Sequence, residues 1–169
     1  MANSKNVETV RQMLIDYRLL SEDYWCEIER IERLDDRLLS LGGSTINDMP
    51  RAPSPTFDKK DELITLKMEA EGRLEAMKPK MDAARWQIES MVCLLHKPKE
   101  KSLIRYYYFD CEGWDCVLVQ LFGDEPDFLG KEESYKRRMR RIHYDAIFDL
   151  AQVYDECLLP KGGETNENL

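Results

Sequence analysis

Two long stretches of this chain repeat apolar residues at the spacing of a coiled coil, and this pattern limits the possible folds more than any other feature. The first stretch runs from Val7 to Leu41. Its core positions alternate in steps of three and four over several heptads, with Ser21 and Asp35 at two of them and apolar residues at the others, which predicts one long amphipathic helix. At 1.5 Å per residue that helix would be on the order of 50 Å long. The stripe consists of Val7, Val10, Leu14, Tyr17, Tyr24, Ile28, Ile31 and Leu38.

The second stretch, from about Lys59 to Leu95, has the same alternation and predicts a second long helix. The segment Gly42–Thr56 between them contains three prolines and no periodicity, so we expect a loop there. Two apolar stripes of similar length joined by a loop favour an antiparallel helical hairpin. The second stripe consists of Ala70, Leu74, Met77, Met81, Ala84, Ile88, Met91 and Leu95.

The elements predicted after the second stretch are shorter. Apolar spacing and turn residues predict two short helices, Ser102–Phe109 and Trp114–Phe122, and then a longer helix, Glu132–Cys157. Short helix, turn, short helix, turn and longer helix is the plan of a helix-turn-helix domain. We therefore predict an all-α protein with a helical hairpin (coiled coil) at 1–96, a three-helix helix-turn-helix domain at 97–159 and a disordered tail at 160–169.

The beginning of the last predicted helix has an unusual charge pattern for a chain whose formal net charge is -8. Between Lys136 and Arg141 there are five cations and no acid. At about 100° per residue the apolar side chains share one face of the helix, and most of the cations lie on the other side. The apolar face comprises Tyr135, Met139, Ile142 and Ala146, while Arg137, Arg140 and Tyr144 point nearly opposite. Such a helix can lie along a phosphate backbone and reach base edges, so the pattern indicates the recognition helix of a DNA-binding domain.

Two motifs resemble those of a known family. The stretch Tyr107–Asp115, Tyr-Tyr-Phe-Asp-Cys-Glu-Gly-Trp-Asp, resembles Arg-Tyr-Ile-Asp-Gly-x-Ser-Trp-Glu in the sigma-factor region-4-like domains of ArpU/RinA-type late transcription regulators. These proteins are encoded by phages and prophages of Gram-positive bacteria. The stretch Tyr135–Ala146, with Arg-Ile-His at 141–143, is similar to the end of their recognition helix. They also tend to have a helical hairpin ahead of the DNA-binding domain.

The chain departs from the family pattern at three places. Gly113 occupies the position of the usual Ser or Thr cap, and Leu118 stands where the helix crossing normally has Ala. The turn Gly123–Gly130 is longer than the usual three or four residues. These differences leave the crossing angle of the two helices open.

Together these features predict a sequence-specific transcription regulator that reads the major groove with the helix around residues 132–146. We expect the base edges to be approached by Ser134, Arg137, Arg138 and Arg141. We expect the phosphates to be contacted by Lys136, Arg140, His143, Tyr144, Lys99 and Lys101.

The predicted partner is double-stranded DNA, and we expect a homodimer because a single module of this size rarely binds tightly alone. The hairpin could form the dimer interface or dock RNA polymerase. Two other functions stay open. One is a small terminase subunit that recognises phage DNA for packaging, and the other is a helical adaptor that binds proteins only.

The sequence contains no paired-carboxylate site, nucleophile constellation or glycine-rich phosphate loop, so we expect neither an enzyme nor a cofactor. The five cysteines are scattered, and neither histidine completes a zinc spacing with them, so we expect no metal site. No apolar run approaches the roughly 18 residues of a membrane span, and Met-Ala-Asn-Ser-Lys lacks the core of a signal peptide. We expect the protein in the cytoplasm of the bacterial host.

Overall fold

The computed structural model describes residues 4–42 and 55–158, with the side chains of residues 4–41 and 59–154. These ranges contain no strand, so the all-α prediction is confirmed for them. The predicted tail at 160–169, and residues 43–54 of the predicted loop, lie outside the described residues. The α-helices are α1 (Ser4–Gly42), α2 (Pro55–Leu94), α3 (Pro98–Ile104), α4 (Trp114–Phe122) and α5 (Glu132–Leu158).

Contacts divide the chain into two compact units. The first, which we call the core unit, combines Met1–Leu19 with Ala83–Leu169, and the second, the two-helix unit, is Leu20–Asp82. The beginning of α1 and the end of α2 therefore belong with α3, α4 and α5. This grouping does not follow the predicted boundary between residues 96 and 97, because Val10 and Leu14 of α1 are completely buried within the core unit.

The core unit buries large apolar side chains from each of its helices. In it, α3 packs on α4 and α5, and α4 packs on α5. Complete burial of one such side chain stabilises the fold by about 1.5–3 kcal/mol, so the five helical segments stabilise one another. The buried side chains include Leu14, Tyr17, Ile88, Met91, Leu103, Ile104, Leu118, Phe122, Ile147 and Leu150.

The connection between α3 and α4 has an irregular backbone. α3 continues directly into a π-helical turn, Arg105–Phe109, whose end is marked by a hydrogen bond from the Asp110 N–H to the Arg105 carbonyl (3.0 Å). Cys111 follows with a φ of 54°, a left-handed conformation that is uncommon for a residue with a Cβ atom. Gly113 then forms the N-cap of α4 without a side-chain hydrogen bond.

The bounds of the two short helices agree only partly with their prediction. α4 has the predicted bounds, Trp114–Phe122. The predicted start of the first short helix at Ser102 is wrong, because α3 begins at Pro98. A proline fits the first turn of a helix, since its missing N–H would have no helical acceptor there and its φ is already helical.

The two-helix unit consists of the second part of α1 and the first part of α2. Two ion pairs join these segments, Lys67 Nζ to Asp35 Oδ1 at 2.5 Å and Arg73 Nε to Glu27 Oε1 at 3.0 Å. Along α2, Lys67 comes before Arg73. Along α1 the order of their partners is reversed, because Glu27, the partner of Arg73, comes before Asp35. The two segments therefore run in opposite directions past these pairs.

Candidate nucleic-acid interface

The first part of α5 rests on aromatic side chains that precede it in the chain. The Tyr135 ring lies 5.0 Å from that of Phe122 and 5.8 Å from that of Phe128, measured between centroids. Its hydroxyl donates to Asp127 Oδ1 at 2.5 Å. About one and three turns further on, Met139 and Ala146 are buried. These contacts determine which face of α5 points away from the protein.

The arginines of α5 lie on its exposed part. We call Arg137, Arg138, Arg140 and Arg141 the cationic ridge; all four are exposed, as are Ser134 and Tyr144. Arg137, Arg138 and Arg140 form no ion pair with a described residue. Arg141 Nε is 4.0 Å from Asp145 Oδ2, and its side chain is 84% exposed. The positive charge of the ridge is therefore largely uncompensated by the described part of the chain.

Lys136 differs from the arginines beside it. Its Nζ lies 2.9 Å from Glu132 Oε1 and 3.4 Å from Glu133 Oε1, and its side chain is only 28% exposed. These hydrogen bonds raise the pKa of Lys136. The predicted phosphate contact of Lys136 would therefore have to compete with two carboxylates of the same helix.

His143 lies within an aromatic cluster rather than on the exposed face. Its Nε2 is 2.9 Å from the Tyr108 hydroxyl, and its ring meets those of Trp114 and Tyr107 at 5.0 and 6.1 Å. Burial lowers the pKa of His143 from 6.5 to about 4, with a further contribution from the charge of Arg11. His143 is therefore neutral at pH 7, and its position does not support the predicted phosphate contact.

The two predicted lysines of α3 have partners within the protein. Lys99 Nζ is 3.4 Å from Glu125 Oε1 and 4.5 Å from the centre of the Phe122 ring. Lys101 Nζ donates to the Cys93 carbonyl near the end of α2 at 2.9 Å. A lysine at this position satisfies one of the last carbonyls of a helix. Both cations stabilise the junctions of α3, and neither belongs to the ridge on α5.

A cleft of about 500 Å³ lies between the start of α4 and the first half of α5. Arg140 is exposed as part of the cationic ridge and also lines this cleft. Its lining contains two cations, Lys136 and Arg140, and two carboxylates, those of Asp115 and Glu133. It is lined by Trp114, Asp115, Glu133, Lys136, Met139, Arg140 and His143.

Sequence reasoning missed one side chain that shapes this region, Arg18 of α1. It contacts the turn between α3 and α4, with its guanidinium 2.8 Å from the Tyr107 carbonyl. Residue 18 is separated from that turn by about ninety positions in the sequence, and no local pattern marks such a pair.

The described residues contain no group of three or more histidine, cysteine, aspartate or glutamate side chains that could hold a metal ion. None of the described helices is long and apolar enough to cross a membrane. Comparisons with known family models, with curated proteins and with solved structures find no match. The resemblance to ArpU/RinA-type regulators therefore stays a prediction from the sequence motifs.

Proposed function

We propose that this chain is a sequence-specific regulator of transcription, encoded by a phage or prophage, that binds double-stranded DNA through α5. The single observation that supports this most is the cationic ridge. Its four guanidinium groups are exposed on one helix, and three of them have no ion-pair partner among the described residues. An exposed cluster of one sign of charge attracts a polyanion such as the DNA backbone.

In this proposal α3, α4 and α5 act as a helix-turn-helix domain with α5 in the major groove. Ser134, Arg137, Arg138 and Arg141 approach base edges, where arginine can bind guanine O6 and N7 with two hydrogen bonds. Arg140 and Tyr144 contact phosphates. Lys136, Lys99, Lys101 and His143 are withdrawn from the proposed contact set, because each is engaged within the protein.

The acidic remainder of the chain is compatible with this function. A net charge of -8 repels DNA over most of the surface, while the ridge attracts it locally. This distribution weakens non-specific binding and leaves affinity dependent on a correct fit of α5. Binding should therefore be measured at a stated salt concentration.

The two-helix unit is proposed as part of an antiparallel hairpin, which the order of its two ion pairs supports. Its role in the proposal is to form a homodimer or to dock RNA polymerase in the cytoplasm of the bacterial host. A two-fold dimer would present two copies of α5 to two half-sites. Sedimentation of the full chain at micromolar concentration tests the dimer, and a strict monomer contradicts it.

A helical adaptor that binds only proteins is the second candidate function. The observation that favours it is a set of exposed large apolar side chains in the two-helix unit, Trp25, Leu39 and Met68, which are 57%, 74% and 66% exposed. A protein partner that covered these side chains would remove apolar surface from water, which favours binding. A small terminase subunit differs from both in assembling as a ring, so the sedimentation experiment also tests for it.

The decisive experiment is a gel shift with fragments of the genome that encodes the chain. We expect one or a few fragments to be retained, with an affinity that falls steeply with salt. Replacing Arg137 and Arg141 by alanine should cost about 1–3 kcal/mol for each arginine and relax the sequence preference.

The matched control is Arg33→Ala with Arg37→Ala, which removes the same charge from two exposed residues of α1. This control should bind like the unmodified chain. Equal loss of binding in both pairs, or binding that ignores both salt and the ridge substitutions, contradicts the proposed function.

A further inference from the structure

Arg18 of α1 contacts the backbone of the turn between α3 and α4. Its guanidinium donates to the Tyr107 carbonyl at 2.8 Å, and longer bonds of 3.4 and 3.5 Å reach the carbonyls of Glu112 and Cys111. The last carbonyls of a helix have no partner within the helix. Tyr107 belongs to such a helix end, whereas Cys111 and Glu112 follow it, and a guanidinium with five donors in one plane can bond to carbonyls of both segments at once. Arg18 therefore ties α1 to this turn.

The same guanidinium begins a series of contacts that ends on α5. Its Cζ is 4.0 Å from the centre of the Tyr107 ring. The Tyr107 ring stacks on Trp114, with centroids 4.1 Å apart and planes at 29°. Trp114 in turn meets the His143 ring edge-on, 5.0 Å away. His143 is two residues after Arg141 of the cationic ridge, so the contacts run continuously from α1 to the helix that we propose binds DNA.

The backbone between α3 and α4 needs such support. A π-helical turn and a left-handed Cys111 are conformations that a chain adopts at a cost, and they persist when surrounding contacts hold them. Arg18 bonds to the carbonyl of Cys111 itself and to that of its neighbour Glu112. The geometry of the turn, and with it the position of Trp114 at the start of α4, thus depends on a side chain of α1.

We infer that Arg18 is a positioning residue for DNA binding: through Tyr107, Trp114 and His143 it holds α5 in the orientation that presents the cationic ridge. The link to DNA rests on the proposed function, whereas the coupling of α1 to α5 does not. A partner that displaces α1 would break the contacts of Arg18 with the turn between α3 and α4. DNA affinity would then fall although the partner does not contact the cationic ridge. Displacement of α1 is thus a way to regulate DNA binding by α5.

The coupling can be measured without DNA by the fluorescence of Trp114. Trp25 and Trp86 are 57% and 76% exposed, so replacing both by phenylalanine leaves Trp114 as the single reporter in an otherwise intact chain. In this background Arg18→Ala should shift the emission to longer wavelength, because the Tyr107 ring loses its cation and the stack opens to water. Arg33→Ala, which removes an exposed arginine from the same helix, should not change the emission.

The effect on DNA is measured by titration at several salt concentrations. Arg18→Ala should weaken binding about tenfold, near the low end of typical couplings between sites. The slope of log affinity against log salt should stay unchanged, because no phosphate contact is removed. A residue that contacts phosphate directly would instead reduce this slope by about one unit when it is replaced.

Three further substitutions keep the test valid if Arg18→Ala folds poorly. Arg18→Lys keeps the charge but lacks the plane that stacks on Tyr107, so it should not restore either readout fully. Tyr107→Phe keeps the ring and should behave like the unmodified chain. Tyr107→Leu should resemble Arg18→Ala, and combining these two should weaken binding no more than either alone, because both break the same series of contacts.

Three results would overturn the inference. One is an Arg18→Ala chain with unchanged Trp114 emission. Another is a shifted emission with unchanged DNA affinity, and the third is a salt slope reduced by about one unit, which would make Arg18 a direct contact. If the unmodified chain binds no DNA, the proposed function fails, and the Trp114 emission alone decides whether Arg18 of α1 is coupled to Trp114, the ring that contacts His143 of α5.

Discussion

The core unit and the two-helix unit are built from the same two long helices, yet they are stabilised differently. The core unit surrounds completely buried side chains of all five helices, among them Leu103, Phe122 and Leu150. In the two-helix unit, the described side chains that are buried are Ser21, Leu34 and Ala70, and ion pairs join its two segments. A core closed on several sides holds a helix in one orientation, whereas a seam between two helices can adjust. The cationic ridge belongs to the core unit, whose packing holds α5 in one orientation.

The largest expected difference between the units is the cost of removing a buried leucine. Leu103→Ala in the core unit should destabilise its unit by about 4 kcal/mol, because neighbours held on several sides cannot fill the cavity. Leu34→Ala in the two-helix unit should cost about 2 kcal/mol, because two helices can move closer together. Hydrogen exchange, followed residue by residue, measures the loss of stability in each unit. Equal losses in the two variants would contradict the proposed difference between the units.

Acid should weaken the core unit selectively. His143 has a pKa of about 4 in the folded protein against 6.5 for an exposed histidine, so between these values the unfolded chain takes up a proton and the folded chain does not. Stability should therefore fall as the pH falls from 6.5 to 4, by about 3 kcal/mol from this residue.

The measurement is urea unfolding at several pH values, compared with His143→Gln. That substitution should remove this component of the pH dependence. The matched control is His96→Gln, because His96 is exposed and its loss should leave the dependence unchanged. A His143→Gln chain with the same acid sensitivity as the unmodified protein would show that the aromatic cluster does not exclude the charged imidazole.

The left-handed turn of the core unit should show a smaller effect. Cys111→Gly should raise the free energy of unfolding by about 0.5–1 kcal/mol, since glycine adopts a φ of 54° without a Cβ clash. Cys116→Gly makes the same exchange on an exposed position of α4 and should lower stability by about 0.3 kcal/mol, the difference between the helix propensities of cysteine and glycine. Thermal unfolding of both variants compares them directly, and a loss in both would mean that the turn stores no strain.

The smallest effect is expected in the two-helix unit. Lys67→Gln removes the ion pair with Asp35, in which both side chains are partly exposed to water. Solvent and salt screen such pairs, so the melting temperature should change little and the change should vanish at high salt. Arg73→Gln serves as the parallel test at Glu27. A large, salt-insensitive loss in either variant would show that ion pairs dominate this unit.

The helices themselves were largely predictable. Periodicity predicted long helices over most of α1 and α2, and the turn residues around α4 marked both of its ends. The cationic ridge was visible because its arginines are consecutive or nearly so. Pro98 would have marked the true start of α3, and the sequence analysis placed that start too late.

Contacts between distant residues were not predictable. His143 looked like one more polar residue on a cationic helix, yet it lies among rings from residues 107, 108 and 114. Glu100 belongs to a charged stretch, yet it is buried, with its Oε1 2.8 Å from Lys97 Nζ. A single sequence shows charge and spacing along one helix, and it does not show which side chains of other helices cover that face.

The sequence by itself determined that this chain is helical, where its long helices run and that one of them has a cluster of arginines, because helical periodicity and charge are local properties. Only the tertiary structure decided which of the predicted DNA contacts are available. It placed Lys136, His143, Lys99 and Lys101 against partners within the protein and brought Arg18 to a turn far along the chain. The physical reason is that burial and pairing depend on packing between helices, and packing is settled when distant segments meet.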